Sequence, residues 1–245
     1  MGNLAMAETT PRKIRIWDLP TRVFHWALVL LVLLSYLTGE IGGFDFTMPG
    51  SGNMVANMNI HVWSGLTILT LLVFRIIWGV MGSTTARFGS FIKGPGAIID
   101  YIGGVARRSV KFAAGHNPAG GAVVILMLIL LLAQASTGLF AKEDDFFGIA
   151  GPLNGLVSED TANQITGIHA RIWGIIELVV LAHILANFFY WLVLKHNLIV
   201  PMFTGNAEAP ADTQVPVLKF ASTALALAVL AVAAGIVFWI KSIGG

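Results

Sequence analysis

Four histidines of this chain lie in apolar segments of membrane-spanning length, and their spacing pairs them by depth. His25 lies near the start of the first such segment, and His61 opens the second. His169 and His183 both belong to the fourth segment, fourteen residues apart. Fourteen residues of α-helix turn through about 1400° and rise roughly 21 Å, so both side chains project from nearly the same face. Because successive spans run in opposite directions, we expect His169 level with His61, and His183 level with His25.

Two imidazoles at one depth predict a metal centre that takes ligands from two sides. A haem iron binds one axial ligand on each side of the porphyrin, and neutral imidazole suits iron well. Zinc fits less well, because neither depth offers a convincing third or fourth ligand. Any one of these histidines could instead form a hydrogen bond between helices. Together they predict two b haems with two histidine ligands each, one near each membrane face, with iron bound by His25, His183, His61 and His169.

Two glycines lie where the predicted haems need a helix surface without side chains. Gly65 is one turn after His61. Gly39 is fourteen residues after His25, and therefore on the same helix face at the level of the other haem. Glycine is also common in membrane helices because it lets backbones approach closely. The spacing alone leaves both interpretations open.

Two arginines are candidates for binding haem propionates. Arg75 is fourteen residues after His61, which places it on the same face at the depth of His25. A buried arginine in lipid requires a counter-charge, and guanidinium pairs well with carboxylate. Arg171 follows His169 by two residues and is a similar candidate at the other depth. Either side chain could instead extend to phosphate head groups.

His116 lies in the sequence AGHNPAGG at the start of the third apolar segment, where Asn-Pro is typical of a helix beginning. No histidine on another span shares its expected depth. Three roles stay open for it: a structural cap, a contact to a haem propionate, or a hydrogen bond to a quinone.

The composition requires a lipid environment. Of 245 residues, 56% are hydrophobic and 11% are charged, and the mean hydropathy is +0.78. Soluble domains carry about 25% charged residues. The net charge of +2 is too small to indicate nucleic acid as a partner. The absence of cysteine excludes disulfides, thiolate-bound iron–sulfur clusters, thiol nucleophiles and covalently attached c-type haem.

Five apolar segments have about the length that a helix needs to cross the hydrocarbon core. The first twenty residues hold charges and two prolines without an apolar run, so they are not expected to be a signal peptide. The sequence therefore predicts an all-α membrane protein, a four-helix di-haem bundle with one extra C-terminal helix, with spans near residues 23–38, 62–81, 122–140, 168–194 and 217–240.

The lysines and arginines in the connections predict the orientation in the membrane. Eleven lie on one side of the predicted spans, whereas only Lys142 and Lys241 lie on the other side, beside a cluster of acidic residues. We therefore expect a cytoplasmic N-terminus and an extracytoplasmic C-terminus in a bacterial inner membrane.

The chain divides into four parts by composition: a cytoplasmic segment (1–21), the four-helix core (22–200), an Ala/Pro-rich linker (201–216) and the fifth helix with its end (217–245). Within the core, residues 94–112 carry apolar residues at helical spacing followed by basic ones, which is typical of a helix in the membrane interface. Residues 142–160 form an acidic, Gly-rich loop.

Several of these motifs resemble the bacterial cytochrome b561 family, which groups with the b-type cytochrome subunits of nickel–iron hydrogenases. The resemblance covers roughly residues 12–196 and rests on IRIWDLPTRVFHW around His25, HVWSG at His61, GHNPAGG at His116, and the pair His169 and His183. It implies a four-helix di-haem core that passes electrons between a membrane quinone and a second redox partner. It also implies that His25 pairs with His183, and His61 with His169. The predicted fifth helix is a difference from the family pattern, because the smallest family members lack it.

The sequence thus predicts a multi-pass di-haem cytochrome of the inner membrane. It would transfer electrons between quinone and an extracytoplasmic partner, a c-type cytochrome or a periplasmic oxidoreductase subunit. The fifth helix could contact that partner or a second copy in a homodimer. One alternative is a stand-alone haem oxidoreductase acting on superoxide or quinol. The other is a cofactor-free transporter or scaffold.

Overall fold

The computed structural model describes residues 11–43, 45–50, 52, 54–110, 112–143, 148–211 and 213–244. Residues 1–10 of the N-terminal segment, the basic Lys111, and Asp144 and Asp145 of the acidic loop lie outside the described residues.

The described elements follow in this order, and their labels are used below: β1 (Arg12–Arg15), α1 (Leu19–Tyr36, continued by a π-helical turn at Leu37–Ile41), β2 (Phe46–Thr47), β3 (Met54–Val55), α2 (Asn57–Met81), a 3₁₀ turn (Thr84–Ala86), α3 (Phe88–Phe91), α4 (Pro95–Ala106), α5 (Pro118–Gly138), a second 3₁₀ turn (Asn154–Leu156), α6 (Glu159–Leu192), α7 (Ile199–Thr204), β4 (Asn206–Ala209) and α8 (Thr223–Ile243).

Five of these helices are long and apolar enough to cross a membrane: α1 with its π turn, α2, α5, α6 and α8. The predicted all-α membrane fold is confirmed. Below, the near end of the bundle is the end at which α1 begins, and the far end is the end at which α1 stops. The spans alternate in direction, so His25 and His183 lie toward the near end, and His61 and His169 toward the far end.

Polar capping residues start three of the spans earlier than the apolar segments alone predict. Asp18 accepts a hydrogen bond from the Thr21 amide (2.7 Å), and Asn117 accepts one from the Gly120 amide (2.7 Å). Ser158 accepts one from the Thr161 amide, so α6 begins nine residues before 168 and takes in part of the acidic loop. These bonds satisfy amides that the first helical turn leaves without partners. The prediction that Asn117 and Pro118 begin the third span is confirmed.

The last span begins at Thr223, later than the predicted residue 217, because the preceding residues bond elsewhere. Lys219 and Thr84 exchange hydrogen bonds of 2.9 Å, and the Ala221 amide donates to Ser83 Oγ (3.0 Å). Ser222 then caps α8. The predicted linker, residues 201–216, contains the last four residues of α7 and all of β4.

β4 pairs antiparallel with β1, with Arg12 opposite Ala209. The amides of Ile16 and Trp17 donate to the Gly205 carbonyl at 2.8 and 3.0 Å. The segment before α1 is thereby attached to the segment after α6, and both lie at the near end of the bundle.

α2 is the central helix. It packs against α1, α5 and α8, and half of its most apolar window is buried. α8 presents to it a face with residues three and four apart, namely Ala226, Val229, Ala233 and Val237. Such spacing makes one apolar stripe on a helix. The extra helix therefore covers α2.

α6 packs closely along α5, while α1 packs along α2. A cavity lies inside this group of four helices, and side chains from α1, α2, α5 and α6 line it. The histidine-bearing helices thus border an internal space, and the next step is to see which side chains reach it.

Candidate functional site

His61 of α2 and His169 of α6 face each other at the far end. Their ring centres are 6.2 Å apart, and the ring planes are inclined by 79°. Two imidazoles that share one metal ion have ring centres about 6 Å apart, because each metal–nitrogen bond is about 2 Å long. The separation therefore suits a metal ion bound between the two rings.

Main-chain carbonyl groups hold both far-end rings by the same nitrogen. Nδ1 of His61 lies 2.9 Å from the Ser35 carbonyl oxygen, and Nδ1 of His169 lies 3.0 Å from the Gln134 carbonyl oxygen. A carbonyl can only accept, so each Nδ1 donates its proton and each Nε2 keeps its lone pair. Such a bond fixes the tautomer and ring orientation of a metal-binding histidine.

The far-end cavity around these rings has a volume of about 300 Å³. Ligand and cofactor sites commonly occupy about 300–1,000 Å³ and are mostly apolar with a few polar groups. The lining follows that pattern: aliphatic side chains predominate, with the two histidines, Gln134 and, toward the far end, Glu40, Lys142 and Glu143. The arrangement can hold a flat apolar group that carries a metal ion.

Glycines that line the cavity serve in two ways. A Cβ on Gly39 would lie 2.6 Å from His61 Cε1, and one on Gly138 would lie 3.1 Å from His169 Cε1. Gly65 has nothing within 4 Å of such an atom and borders the cavity. Gly39 thus makes room for the imidazole, whereas Gly65 leaves the open surface that a bound group would contact.

Gln134 is a site residue that the sequence reasoning missed. Its side-chain nitrogen lies 3.0 Å from His169 Nε2, and its buried side-chain oxygen has no hydrogen-bond partner among the described residues. The signal in the sequence is an amide within the otherwise aliphatic run LMLILLLAQ. Polar groups at such a depth are costly in lipid and are often functional.

His25 of α1 and His183 of α6 form the second couple, close enough for their charges to interact. His25 packs edge-on against Trp26, with ring centres 5.0 Å apart, and its buried Nδ1 has no partner in the part of the chain that is described. His183 Nε2 lies 3.2 Å from the side-chain nitrogen of Asn187, one turn along the helix. The rings of His61 and His169 thus face each other, and His25 lies within charge interaction of His183.

Arg75 is buried beside the near-end couple and is only 2% exposed. Its guanidinium lies over the rings of Phe88 and Phe91 and interacts with the charge of Asp18. Neither terminal nitrogen has a hydrogen-bond partner among the described residues. A desolvated guanidinium with two unused donor groups is suited to bind a carboxylate in a bidentate manner.

Comparison with known families adds an independent observation. The family model for prokaryotic cytochrome b561 matches residues 16–205, which include all four histidines. The chain belongs to this family. No curated protein and no solved structure matches it. Its members are transmembrane b-type cytochromes that transfer electrons, so the resemblance seen in the sequence is confirmed.

The histidine arrangement of this cytochrome fits haem b. Neutral imidazole is a suitable ligand for haem iron, and His61 and His169 lie at a separation that suits one metal ion. No group of three or more His, Asp or Glu side chains that could hold a metal ion occurs in the described ranges.

His116 of the cytochrome lies between Trp17 and Phe91, with ring centres 4.7 and 4.5 Å away. Burial, together with the nearby charges of Arg75 and His25, lowers the pKa of His116 to about 3. Its buried Nδ1 has no partner among the described residues. The structure brings this loop histidine to the near-end couple, although the sequence offered no partner at its depth.

Arg171, by contrast, is exposed and lies outside the cavity lining. It follows His169 by two residues, which is about 200° around the helix, so the two side chains point to opposite sides. The basic residue that does line the far-end cavity is Lys142.

Proposed function

We propose that this protein is a di-haem cytochrome that carries single electrons across the cytoplasmic membrane. One haem would be bound by His61 and His169, and the other by His25 and His183. The observation that carries the proposal is the approach of His61 and His169 at one depth of the bundle, supported by the charge interaction of His25 with His183 at the other depth. A bound b-type haem supplies reversible one-electron exchange at its iron.

The surrounding residues of the chain would position and neutralise the two groups. The carbonyls of Ser35 and Gln134 orient the far-end ligands. Arg75 would bind a propionate of the near-end haem, which would give its two buried donor groups a partner. His116, next to Arg75, would contact the same propionate or hydrogen-bond a quinone. Gly65 would give the far-end porphyrin a flat helix surface.

The direction of the chain in the membrane sets the partners. Eleven lysines and arginines flank the near end, so this end would face the cytoplasm. The far-end haem would then exchange electrons with an extracytoplasmic partner, a c-type cytochrome or a periplasmic oxidoreductase subunit. The membrane quinone pool would be the second redox partner, and it would supply electrons to the cytochrome or accept electrons from it.

Four single substitutions test the ligand assignment. His25→Ala and His183→Ala should each remove the same haem and leave the second spectrally intact, and His61→Ala and His169→Ala should each remove the second haem. Haem content and low-temperature absorption spectra of each purified full-length variant measure which of the two haems is lost. Loss of different haems within one couple would contradict the pairing, and a colourless wild-type protein would contradict the function.

A second measurement tests the role in electron transfer. The purified cytochrome should be reduced by quinol and turn over slowly until an extracytoplasmic redox protein is added. Rapid turnover with quinol or superoxide in the absence of any partner would instead show a stand-alone oxidoreductase.

A further inference from the structure

The far-end cavity has an unbalanced set of charges. Among the described residues that line it, Lys142 is the sole lysine or arginine, whereas Glu40 and Glu143 contribute carboxylates at the same end. A b-type haem in this cavity would add two propionates, as the proposed function requires. Carboxylates withdrawn from water need a cation or hydrogen-bond donors.

Lys142 is held at the edge of the cavity by its main chain. Its amide donates to Thr166 Oγ1 of α6 at 3.1 Å, and it pairs with Ala150 in an isolated antiparallel bridge. The segment that follows α5 is thereby attached to the first turns of α6, on the side where His169 lies. The lysine stem is thus anchored, while its amine retains the mobility of a four-carbon chain.

The lysine amine is directed toward an acidic side chain that is itself in solvent. Nζ of Lys142 lies 2.9 Å from Glu159 Oε1, and the two side chains are 19% and 78% exposed. Exposed ion pairs contribute about 0–1 kcal/mol. The pairing with Glu159 is therefore easily exchanged for a carboxylate on the cavity side, where solvent competes less.

We infer that Lys142 binds a propionate of the haem held by His61 and His169. This inference rests on the proposed function and extends it to the far-end cavity. It assigns to Lys142 the role that was predicted for Arg171, whose side chain lies outside the cavity lining. The two ends would then each have one basic residue for the haem carboxylates: Arg75 at the near end and Lys142 at the far end.

The experiment isolates the far-end haem by using His25→Ala as the background. In that background, Lys142→Gln, Lys142→Arg, Glu159→Gln and Arg171→Gln are compared for the rate of haem transfer to apomyoglobin and for the midpoint potential. Lys142→Gln should lose haem about tenfold faster, because a charge-assisted hydrogen bond is removed. Its midpoint potential should fall, because a positive charge near the iron favours the reduced state.

The control variants separate binding from structure. Lys142→Arg should retain most of the effect of lysine, and Glu159→Gln, which removes the surface ion pair but leaves the cation, should behave like the background protein. Equal effects of Lys142→Gln and Glu159→Gln would overturn the inference, because the lysine would then act only through the ion pair. A larger effect of Arg171→Gln, or unchanged haem transfer and potential in Lys142→Gln, would also overturn it.

Two further outcomes distinguish this inference from the proposed function. If the His25→Ala protein binds no haem, the proposed function fails and the inference fails with it. If Lys142→Gln in the otherwise wild-type chain loses both haems equally, the substitution disturbs the fold and the specific role is contradicted. Selective loss from the far end, with the near-end spectrum unchanged, supports the inference.

Discussion

The two histidine couples are held in different ways. At the far end, main-chain carbonyls bind Nδ1 of both rings, and glycines give the rings their space. At the near end, His25 Nδ1 is buried without a partner among the described residues, and His183 is bonded to a side chain of its own helix.

Both couples have buried polar groups without partners among the described residues. These are on Arg75 and His116 toward the near end, and on Gln134 and Trp173 in the far-end cavity, so it is the ligand rings themselves that are held differently. Buried polar groups without partners are costly. The difference indicates that the backbone orients the far-end ligands in advance, whereas the near end depends more on the group that it binds.

Substitution of Arg75 should have the largest effect and should be confined to the near end. Removing one partner of a buried charge pair costs about 3–5 kcal/mol. We therefore expect Arg75→Leu to lose the near-end haem and to retain the far-end haem, as measured by haem content and by the separate absorption bands. The retained haem also serves as an internal check that the chain is folded.

Arg171→Leu is the matched control for Arg75→Leu, because Arg171 is exposed on another span. It should leave both haems in place. If Arg75→Leu instead binds both haems and unfolds at a higher temperature than the wild-type protein, the Arg75 guanidinium does not bind a haem carboxylate. The two ends would then not differ in how much they depend on the bound haem.

A methyl group at Gly39 should affect the far end alone. Because a Cβ there would lie 2.6 Å from His61 Cε1, Gly39→Ala must displace the ring or the π-helical turn. Overpacking of this kind costs about 1–3 kcal/mol. We expect a lower Tm in detergent and a weaker far-end haem spectrum.

Gly65→Ala provides the comparison, because the same atom meets open space there in the structure. Its Tm should change by less than that of Gly39→Ala, and it should weaken far-end haem binding only if the porphyrin lies against that surface. An equal fall in Tm for both variants would show that contact with His61 does not explain the loss at Gly39, because alanine has the higher helix propensity and would by itself raise the Tm.

The sequence predicted the helices well because they depend on helical periodicity, and the predicted grouping of the histidines by depth follows from the same periodicity. His61 and Arg75, or His169 and His183, share a face whatever the surrounding packing. Contacts that depend on a local departure from an α-helix were not predictable in this way. The π-helical turn at Leu37–Ile41 brings Gly39 onto the His61 ring, and a glycine at helical spacing gives no sign of it.

Side chains from connecting segments were the hardest to predict. His116 and Lys142 reach the two couples from loops, whose course depends on tertiary packing. Arg171 was expected at the far end because of its nearness in sequence to His169, but two residues on a helix separate side chains by about 200°. Proximity in sequence predicts a shared site only at helical spacing.

His116 should make the near end sensitive to acid. Its pKa is lowered to about 3 by burial and nearby charges, so the folded protein holds the neutral ring while the unfolded chain, with a pKa near 6.5, takes up a proton. The free energy of unfolding should therefore fall as the pH is lowered from about 6.5 toward 3, by at most about 1.4 kcal/mol per pH unit. His116→Phe, which keeps an aromatic ring between Trp17 and Phe91, should reduce this slope.

Urea unfolding of the full chain in detergent at several pH values measures the slope. The wild-type and His116→Phe proteins should differ little above pH 7 and progressively more below pH 6. Parallel curves for the two proteins would show that the ring of His116 does not remain neutral in the folded state.

The smallest effect is expected from the tyrosine pair that joins α4 to the near end of α6. The hydroxyl of Tyr190 donates to that of Tyr101 at 3.0 Å. Burial and this bond raise the pKa of the Tyr101 hydroxyl. Tyr190→Phe and Tyr101→Phe should each lower the free energy of unfolding by about 0.5–1.5 kcal/mol.

A double-mutant cycle determines whether the bond or the rings account for that loss. If the hydroxyl–hydroxyl bond is responsible, the double variant should be little less stable than either single variant, because the second substitution removes a bond that is already lost. Tyr36→Phe is the far-end control, since the Tyr36 ring stacks on Trp173 at 5.7 Å and phenylalanine preserves that contact. Additive losses for Tyr101 and Tyr190 would contradict the coupling of α4 to α6. If only Tyr101 and Tyr190 are coupled, a bond between side chains helps to hold the near end together. The far-end histidines, by contrast, are held by main-chain carbonyls.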